Sequence, residues 1–228
     1  TAKAVRPNTK WSMWGWPHWG SYLDRSEERK KNALAPTELF AVLDWFSPWV
    51  YDWHKNEDSP KHRDWDRAWV YDTIELTKEV SGDRPIFPYI CHRFCPPGDK
   101  SKKPIDPPGF ALIPDEELKE HVAWALQAGT DGVVWWGGDN FHIRLIQKNP
   151  PPQPGDFRYF KYLRLKDVYR NERPEGMSYV DYLDSIHRDI LGMLSEVASA
   201  EGRNDSEPDG PQRNSLAPPR TRPARLHQ

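Results

Sequence analysis

Residues 131–140 read Asp-Gly-Val-Val-Trp-Trp-Gly-Gly-Asp-Asn, and they are the most informative segment of the chain. Val133 and Val134 are β-branched residues of the kind that buried strands prefer. The glycines that follow allow the backbone to turn sharply where such a strand ends. Aromatic and carboxamide side chains beyond a strand end are typical of the mouth of a barrel, where binding sites lie. The segment therefore predicts a buried strand that leads into a ligand site.

Other segments of the chain predict the same alternation of strands and helices. Pro114 and three acidic residues after it are typical of a helix start, and Gly129 of its end. Four strand–helix units predict an α/β fold with a parallel sheet and outer helices. We expect a partial TIM-like (β/α) barrel of about four units. The predicted strands span 10–16, 48–51, 86–90 and 131–136, and the predicted helices span 36–46, 62–80, 114–129 and 177–199.

The ends and connections of this domain have a different composition. We read 24–32 as a charged connection and the segment after 136, through four prolines, as a long loop. From Glu201 the chain contains Pro, Arg, Ser, Gly and Asp with almost no large apolar residue, which predicts disorder. The sequence therefore predicts one barrel-like domain over 1–200 and a disordered tail over 201–228.

The composition excludes several classes of protein. The formal net charge of −2 shows no overall basic excess, so we expect no nucleic-acid partner. No run of apolar residues comes close to the length of about 18 that a membrane-spanning helix needs. Two cysteines are too few for a disulfide-rich scaffold. The 12 Trp are more unusual, since a core alone rarely needs so many indole N–H groups.

Four segments, in order and spacing, resemble the second half of the hyaluronidase family of glycoside hydrolases. The first matches that family's Arg-Pro and Trp-Gly-Phe-Tyr-Gly-Phe-Pro strand, and the others match its next three barrel strands. The resemblance covers about residues 5–140. The matching segments are Arg6-Pro7 with Trp11-Ser12-Met13-Trp14-Gly15-Trp16-Pro17, then Asp44–Tyr51, Arg84–Tyr89 and Ala128–Gly137.

The resemblance implies a fold, an enzymatic activity, a partner and a cellular location. The family folds as a distorted (β/α) barrel and cleaves β-1,4 bonds next to N-acetylglucosamine with retention of configuration. Its nucleophile is the substrate's own acetamido oxygen, and a Glu in an Asp-x-Glu motif is the general acid. That acid would lie before Thr1, outside this chain. The resemblance also implies a polysaccharide or glycan partner, no cofactor, and secretion or periplasmic export.

The resemblance assigns roles to individual positions. Tyr51 matches a family Tyr that holds the acetamido group, so it is a candidate catalytic residue. Trp136 matches a Trp that lines the sugar subsite, and Arg67 lies near a family Arg. Two positions depart from the pattern. Trp14 stands where the family has a Tyr, and indole cannot accept a hydrogen bond. Cys95 falls near a family Asp.

The residues themselves predict further contacts with a sugar. Trp14, Trp135 and Trp136 offer flat faces for the C–H faces of sugar rings, although neighbours on a strand point to opposite sides. Asp139 is a candidate acid or base and Asn140 a candidate hydrogen-bond partner; both equally suit an ordinary turn.

Two residue patterns have weaker functional interpretations. Arg93 is a candidate for binding an acidic sugar. Cys91, His92 and Cys95 have a metal-ligand character, but on an extended segment they converge poorly, so we expect no metal.

Three functions are therefore open. The first is a hyaluronidase-like hydrolase whose acid lies outside the chain, and the second is a glycan-binding relative without catalysis. The third is another barrel glycosidase that uses carboxylates of this chain, such as Asp52 and Asp139. The unpaired edge strands of a partial barrel also predict self-association.

Overall fold

The computed structural model describes residues 5–6, 8–19, 25–53, 59–95 and 109–204. The described part is mostly helical, with one small parallel sheet of two strands, β1 (Tyr89–Ile90) and β2 (Val134–Trp135). None of its helices has the length and apolar character that crossing a membrane requires.

Four extended segments lie side by side in chain order. Gly15 N–H donates to Ser47 O over 2.9 Å, and Val50 N–H donates to Tyr89 O over 3.0 Å. The side chain of Asp131 accepts from Ile86 N–H over 2.8 Å, which joins the third segment to the fourth. All pairs between these segments are parallel: Trp14 with Ser47, Phe46 with Ile86, Trp49 with Tyr89, Tyr89 with Val134, and Ile90 with Trp135.

Helices lie between these segments along the chain, and local residues such as capping side chains determine where the helices begin and end. α1 (Glu27–Leu34) is capped by Ser26, whose hydroxyl accepts from Arg29 N–H. α2 (Thr37–Val42) is shorter than the predicted helix over 36–46. α3 (Pro60–Ser81) and α4 (Asp115–Gln127) agree with the predicted helices over 62–80 and 114–129.

In the described part of the chain, three further helices follow β2. They are α5 (Asp139–Ile146), α6 (Tyr159–Glu172) and α7 (Tyr179–Asn204). The prediction of a long loop after residue 136 was wrong, because α5 and α6 occupy much of it. Gly-Gly-Asp-Asn resembles a turn, yet here Asp139 begins a helix. The sequence of α6 contains many charged residues, but one face of the helix is apolar. That face buries Tyr162, Leu165, Val168 and Tyr169.

Two other predictions need correction. The charged connection over 24–32 is largely α1, in which Glu27 and Glu28 complement the helix N-terminus. The predicted disordered tail begins inside α7, which continues to Asn204; the remainder, 205–228, lies outside the described residues.

The core forms where the helices pack on the parallel segments. α4 packs against both α3 and α7, and α5 packs against α6. Trp69 and Ile74 of α3, Ala125 of α4 and Leu165 of α6 belong to one buried apolar cluster and are inaccessible to solvent. Tryptophans contribute to this core: the ring centroids of Trp49 and Trp69 lie 5.4 Å apart.

The expected partial barrel is not confirmed. The parallel order of the four segments agrees with it, but the described sheet has two strands. After β1 the chain pairs instead in antiparallel fashion, with Arg93 opposite Leu112. This pairing places the residues after β1 beside the segment that leads into α4.

Candidate functional site

Three aromatic side chains meet where the parallel segments end, and we call Trp14, Tyr51 and Trp136 the aromatic surface. The rings of Tyr51 and Trp136 stack with centroids 6.0 Å apart and planes at 21°. Trp14 Nε1–H donates to the Tyr51 hydroxyl over 3.1 Å. Trp14 is 56% exposed and Trp136 is 37% exposed, whereas Tyr51 is buried. Two indoles therefore face solvent around one phenol.

Glycines allow this arrangement. Gly15 has a φ of +82°, and a Cβ there would approach the Trp49 ring to 2.7 Å. A Cβ on Gly138 would lie 2.9 Å from the Trp136 ring. Both distances are too short for real contacts, so larger residues would push the rings aside. The two glycines thus set the positions of Trp49 and Trp136.

Asp139 lies at the centre of a buried polar cluster that we call the Asp139 network. Its side chain is inaccessible to solvent. Arg93 Nε–H donates to Asp139 Oδ1 over 2.6 Å, and the Tyr169 hydroxyl donates to the same oxygen. His92 Nε2 lies 2.7 Å from Oδ2, and His187 Nε2 lies 3.2 Å from it. Helices α5, α6 and α7 and the segment after β1 all meet at this carboxylate.

Glu172 extends the Asp139 network at the end of α6. Arg93 Nη1–H donates to Glu172 Oε2 over 2.8 Å and to the carbonyl oxygen of Phe110 over 2.8 Å. The Tyr182 hydroxyl donates to Glu172 over 2.7 Å. The guanidinium carbon of Arg93 lies 4.3 Å from the centre of the Tyr169 ring. Arg93 therefore has two carboxylate partners and an aromatic face.

The charge of Asp139 follows from these partners. Burial alone would raise the pKa of Asp139, but the hydrogen bond from His92 and the charge of Arg93 hold that pKa well below its ordinary value. A carboxyl group with so low a pKa carries no proton to donate near neutral pH. The geometry thus favours a structural anion over a general acid, and a catalytic role of Asp139 stays a prediction.

His92, Asp139 and His187 have the composition of a metal site, but their hydrogen bonds do not suit one. Their potential ligand atoms lie within 4.8 Å of one another. Trp135 Nε1–H donates to His92 Nδ1 over 3.1 Å, so the proton of the neutral ring is on Nε2, which lies 2.7 Å from Asp139 Oδ2. A metal at Nε2 would require a proton on Nδ1, where the indole N–H already points. This tautomer does not suit a metal ion at His92 Nε2.

The remaining carboxylate and the two cysteines are also enclosed. Asp52 is 2% exposed, and its Oδ2 lies 3.8 Å from His121 Nδ1. Cys91 and Cys95 are not joined in a disulfide. Burial raises the pKa of the Cys91 thiol to about 11 and that of Cys95 to about 12, so both are poor nucleophiles near neutral pH.

The structure brings together some of the predicted site residues. Trp14, Tyr51 and Trp136 form the aromatic surface, while Trp135 and Arg93 point into the Asp139 network instead. Asn140 is exposed in the first turn of α5. Arg67 is exposed on α3, with its guanidinium over the ring of Tyr71 at 5.6 Å. Sugar contacts of these residues stay predictions.

Sequence reasoning missed the α6 and α7 members of the Asp139 network. Tyr169 and Glu172 lie in a segment of mixed charge for which the sequence predicts a loop, and His187 lies on the predicted final helix without any local motif. Leu165 stands four positions before Tyr169, and this helical spacing of large residues was the available signal for Tyr169.

Comparisons with known proteins give a weak likeness in fold. The structure is similar to two crystal structures of bee venom hyaluronidase, one of them in complex with a hyaluronic acid tetramer. Both have a TM-score of 0.45 and 14% sequence identity, and both cover 75% of this chain. The chain spans about half of their length, 47% and 48%. A comparison of the sequence with protein families and with curated proteins finds no match.

Proposed function

We propose that this protein binds glycans through the aromatic surface. The observation that carries the proposal is the exposure of two indoles, Trp14 and Trp136, on either side of the buried Tyr51. Such rings bury the apolar C–H faces of sugars without any need for charge. The two indoles point to a ligand with several rings, such as a polysaccharide chain.

Tyr51 favours sugars that carry an acetamido group. Its hydroxyl accepts from Trp14, so its own proton remains available to donate to a ligand oxygen. Burial raises the pKa of Tyr51, which keeps that proton in place at all physiological pH values. A carbonyl oxygen of an N-acetylhexosamine is an acceptor of the required kind. We therefore propose polymers containing N-acetylhexosamine as the ligand class.

Hydrolysis of the same polymer is the second candidate. Tyr51 favours it, because a phenol that holds the acetamido group would serve a retaining, substrate-assisted mechanism. In this proposal the four parallel segments belong to a (β/α) barrel, and the general acid comes from outside the described residues. Asp52 and Asp139 do not support the third candidate, since both are buried. Binding is accordingly the function that the geometry favours.

A titration followed by tryptophan fluorescence tests the proposal. Hyaluronan and chitin oligosaccharides are added to the full chain, and Trp136→Ala is compared with Trp65→Ala. Trp65 is 43% exposed on α3 and serves as the matched control. We expect Trp136→Ala to weaken binding about tenfold or more, because one stacking face is lost, and Trp65→Ala to leave it unchanged.

An assay for released reducing ends in the same samples separates the two candidates. Binding without product supports a glycan-binding protein, and product formation supports the hydrolase. If neither oligosaccharide changes the fluorescence or is cleaved, or if both Trp variants lose affinity equally, the proposed site is wrong.

A further inference from the structure

A second surface, at the start of α6, combines exposed apolar side chains with positive charge. Phe157 is 86% exposed, Phe160 is 61% exposed and Leu163 is 38% exposed. Phe160 and Leu163 lie three positions apart on α6, which puts them on one face of that helix, and Phe157 lies just before the helix begins. Exposed apolar side chains that lie close together and are rimmed by polar residues mark sites of protein or membrane binding. We call these three residues the apolar ridge.

The sequence around the apolar ridge is rich in cations, and one of them contacts the ridge. Residues 140–166 contain six Lys and Arg but one Asp and no Glu, although the whole chain has a net charge of −2. The guanidinium of Arg158 lies 4.8 Å from the centre of the Phe157 ring, and Arg158 is exposed. α5, which packs against α6, adds exposed Phe141 and Arg144. The charge asymmetry points to an anionic partner.

We propose that this surface binds an anionic phospholipid membrane peripherally, with the apolar ridge inserted among the acyl chains and the cations on the headgroups. Phe and Leu on one face with Lys and Arg beside them are the composition of interfacial membrane helices. Leu163 favours a membrane among the anionic partners, because an aliphatic side chain inserts well among acyl chains and stacks less well than an aromatic ring on a nucleobase or a sugar. Clusters of four to eight Lys and Arg recognise acidic lipids by their charge.

Flotation of the full chain with vesicles tests the proposal. One vesicle preparation contains phosphatidylcholine alone, and the other contains phosphatidylcholine with phosphatidylserine. We expect flotation with the phosphatidylserine vesicles only, and a loss of flotation at high salt because salt screens the lipid charges. Equal flotation with both preparations, or none with either, would overturn the proposal.

Two variants and their controls locate the contact. Phe157→Ala with Phe160→Ala removes part of the ridge, and Arg144→Gln with Arg158→Gln removes charge. Each pair is expected to weaken vesicle binding at least about tenfold. As controls, Val180→Ala with Leu191→Ala, and separately Arg188→Gln, change other exposed residues, all on α7, and are expected to float like the unchanged protein.

The same variants separate lipid binding from misfolding and from binding of a different polyanion. The four residues of the first two variants are exposed, so folding is expected to persist, and circular dichroism checks it. The Arg variant keeps the proposal testable if the Phe variant misfolds. Loss of flotation in the α7 controls as well, or tight binding of oligothymidylate or hyaluronan by this surface without flotation, would overturn the membrane assignment.

Discussion

At the scale of single residues, Asp139 organises the most buried part of the molecule. Its carboxylate accepts hydrogen bonds from Arg93 and Tyr169, and it lies within ion-pair distance of His187. These three side chains come from separate parts of the chain. Removing a charge from water is costly, and close partners offset that cost only if the geometry is good. The Asp139 network therefore ties α5, α6 and α7 to β1.

Asp139→Asn is expected to destabilise the protein by about 3–5 kcal/mol, because Arg93 would lose the partner of a buried ion pair. The free energy of unfolding in urea measures this effect. Asp167→Asn is the control, since its pair with Arg170 is exposed on both sides and is worth about 0–1 kcal/mol. Unfolding of both variants at the same urea concentration would contradict the proposed importance of the Asp139 network.

At the scale of elements, helix ends follow short polar signals. Ser178 caps α7: its hydroxyl accepts from Asp181 N–H over 3.1 Å and donates to the Asp181 carboxylate over 2.7 Å. This cap satisfies a backbone donor that has no partner within the helix. Because α7 packs on α4, the end of this helix contributes to the whole fold.

Ser178→Ala should lower the free energy of unfolding by about 1 kcal/mol through the loss of this cap. Ser195→Ala lies in the middle of the same helix, where its hydroxyl donates to Leu191 O. Alanine suits a helix interior better than serine, so this control is expected to keep or slightly raise stability. A thermal melt of both variants provides the comparison, and a cost at Ser195 equal to that at Ser178 would speak against capping.

At the scale of the whole molecule, several histidines are held neutral inside the core. Burial lowers the pKa of His92 and of His121, and it lowers that of His142 to about 4. In the unfolded chain the same rings have a pKa of about 6.5. Between these values the unfolded state binds more protons than the folded state, so stability rises with pH.

We therefore expect the free energy of unfolding to fall as the pH drops from about 6.5 towards 4, by up to about 1.4 kcal/mol per pH unit for each such ring. Urea unfolding at a series of pH values measures this slope. His142→Gln is expected to make it shallower. A urea midpoint that is constant from pH 6.5 to about 5 would refute the argument.

Much of the fold was predictable from local sequence patterns. α3 and α4 agree with their predicted spans because a helical period and end signals such as Pro114 act within a few residues. The parallel order of the four extended segments followed from their alternation with helices. The sequence did not predict α5 and α6, because the glycines, prolines and charged residues in and around them are typical of loops and obscure the helical period of their apolar residues.

The sequence by itself determined the elements with strong local signals and the aromatic character of the site, since both depend on neighbouring residues. Only the tertiary structure decided which side chains meet. Arg93 lies 46 positions before Asp139 and 79 before Glu172, and no local preference encodes such pairs. The physical reason is that packing of the helices fixes which polar groups are buried together, and burial then sets their charges.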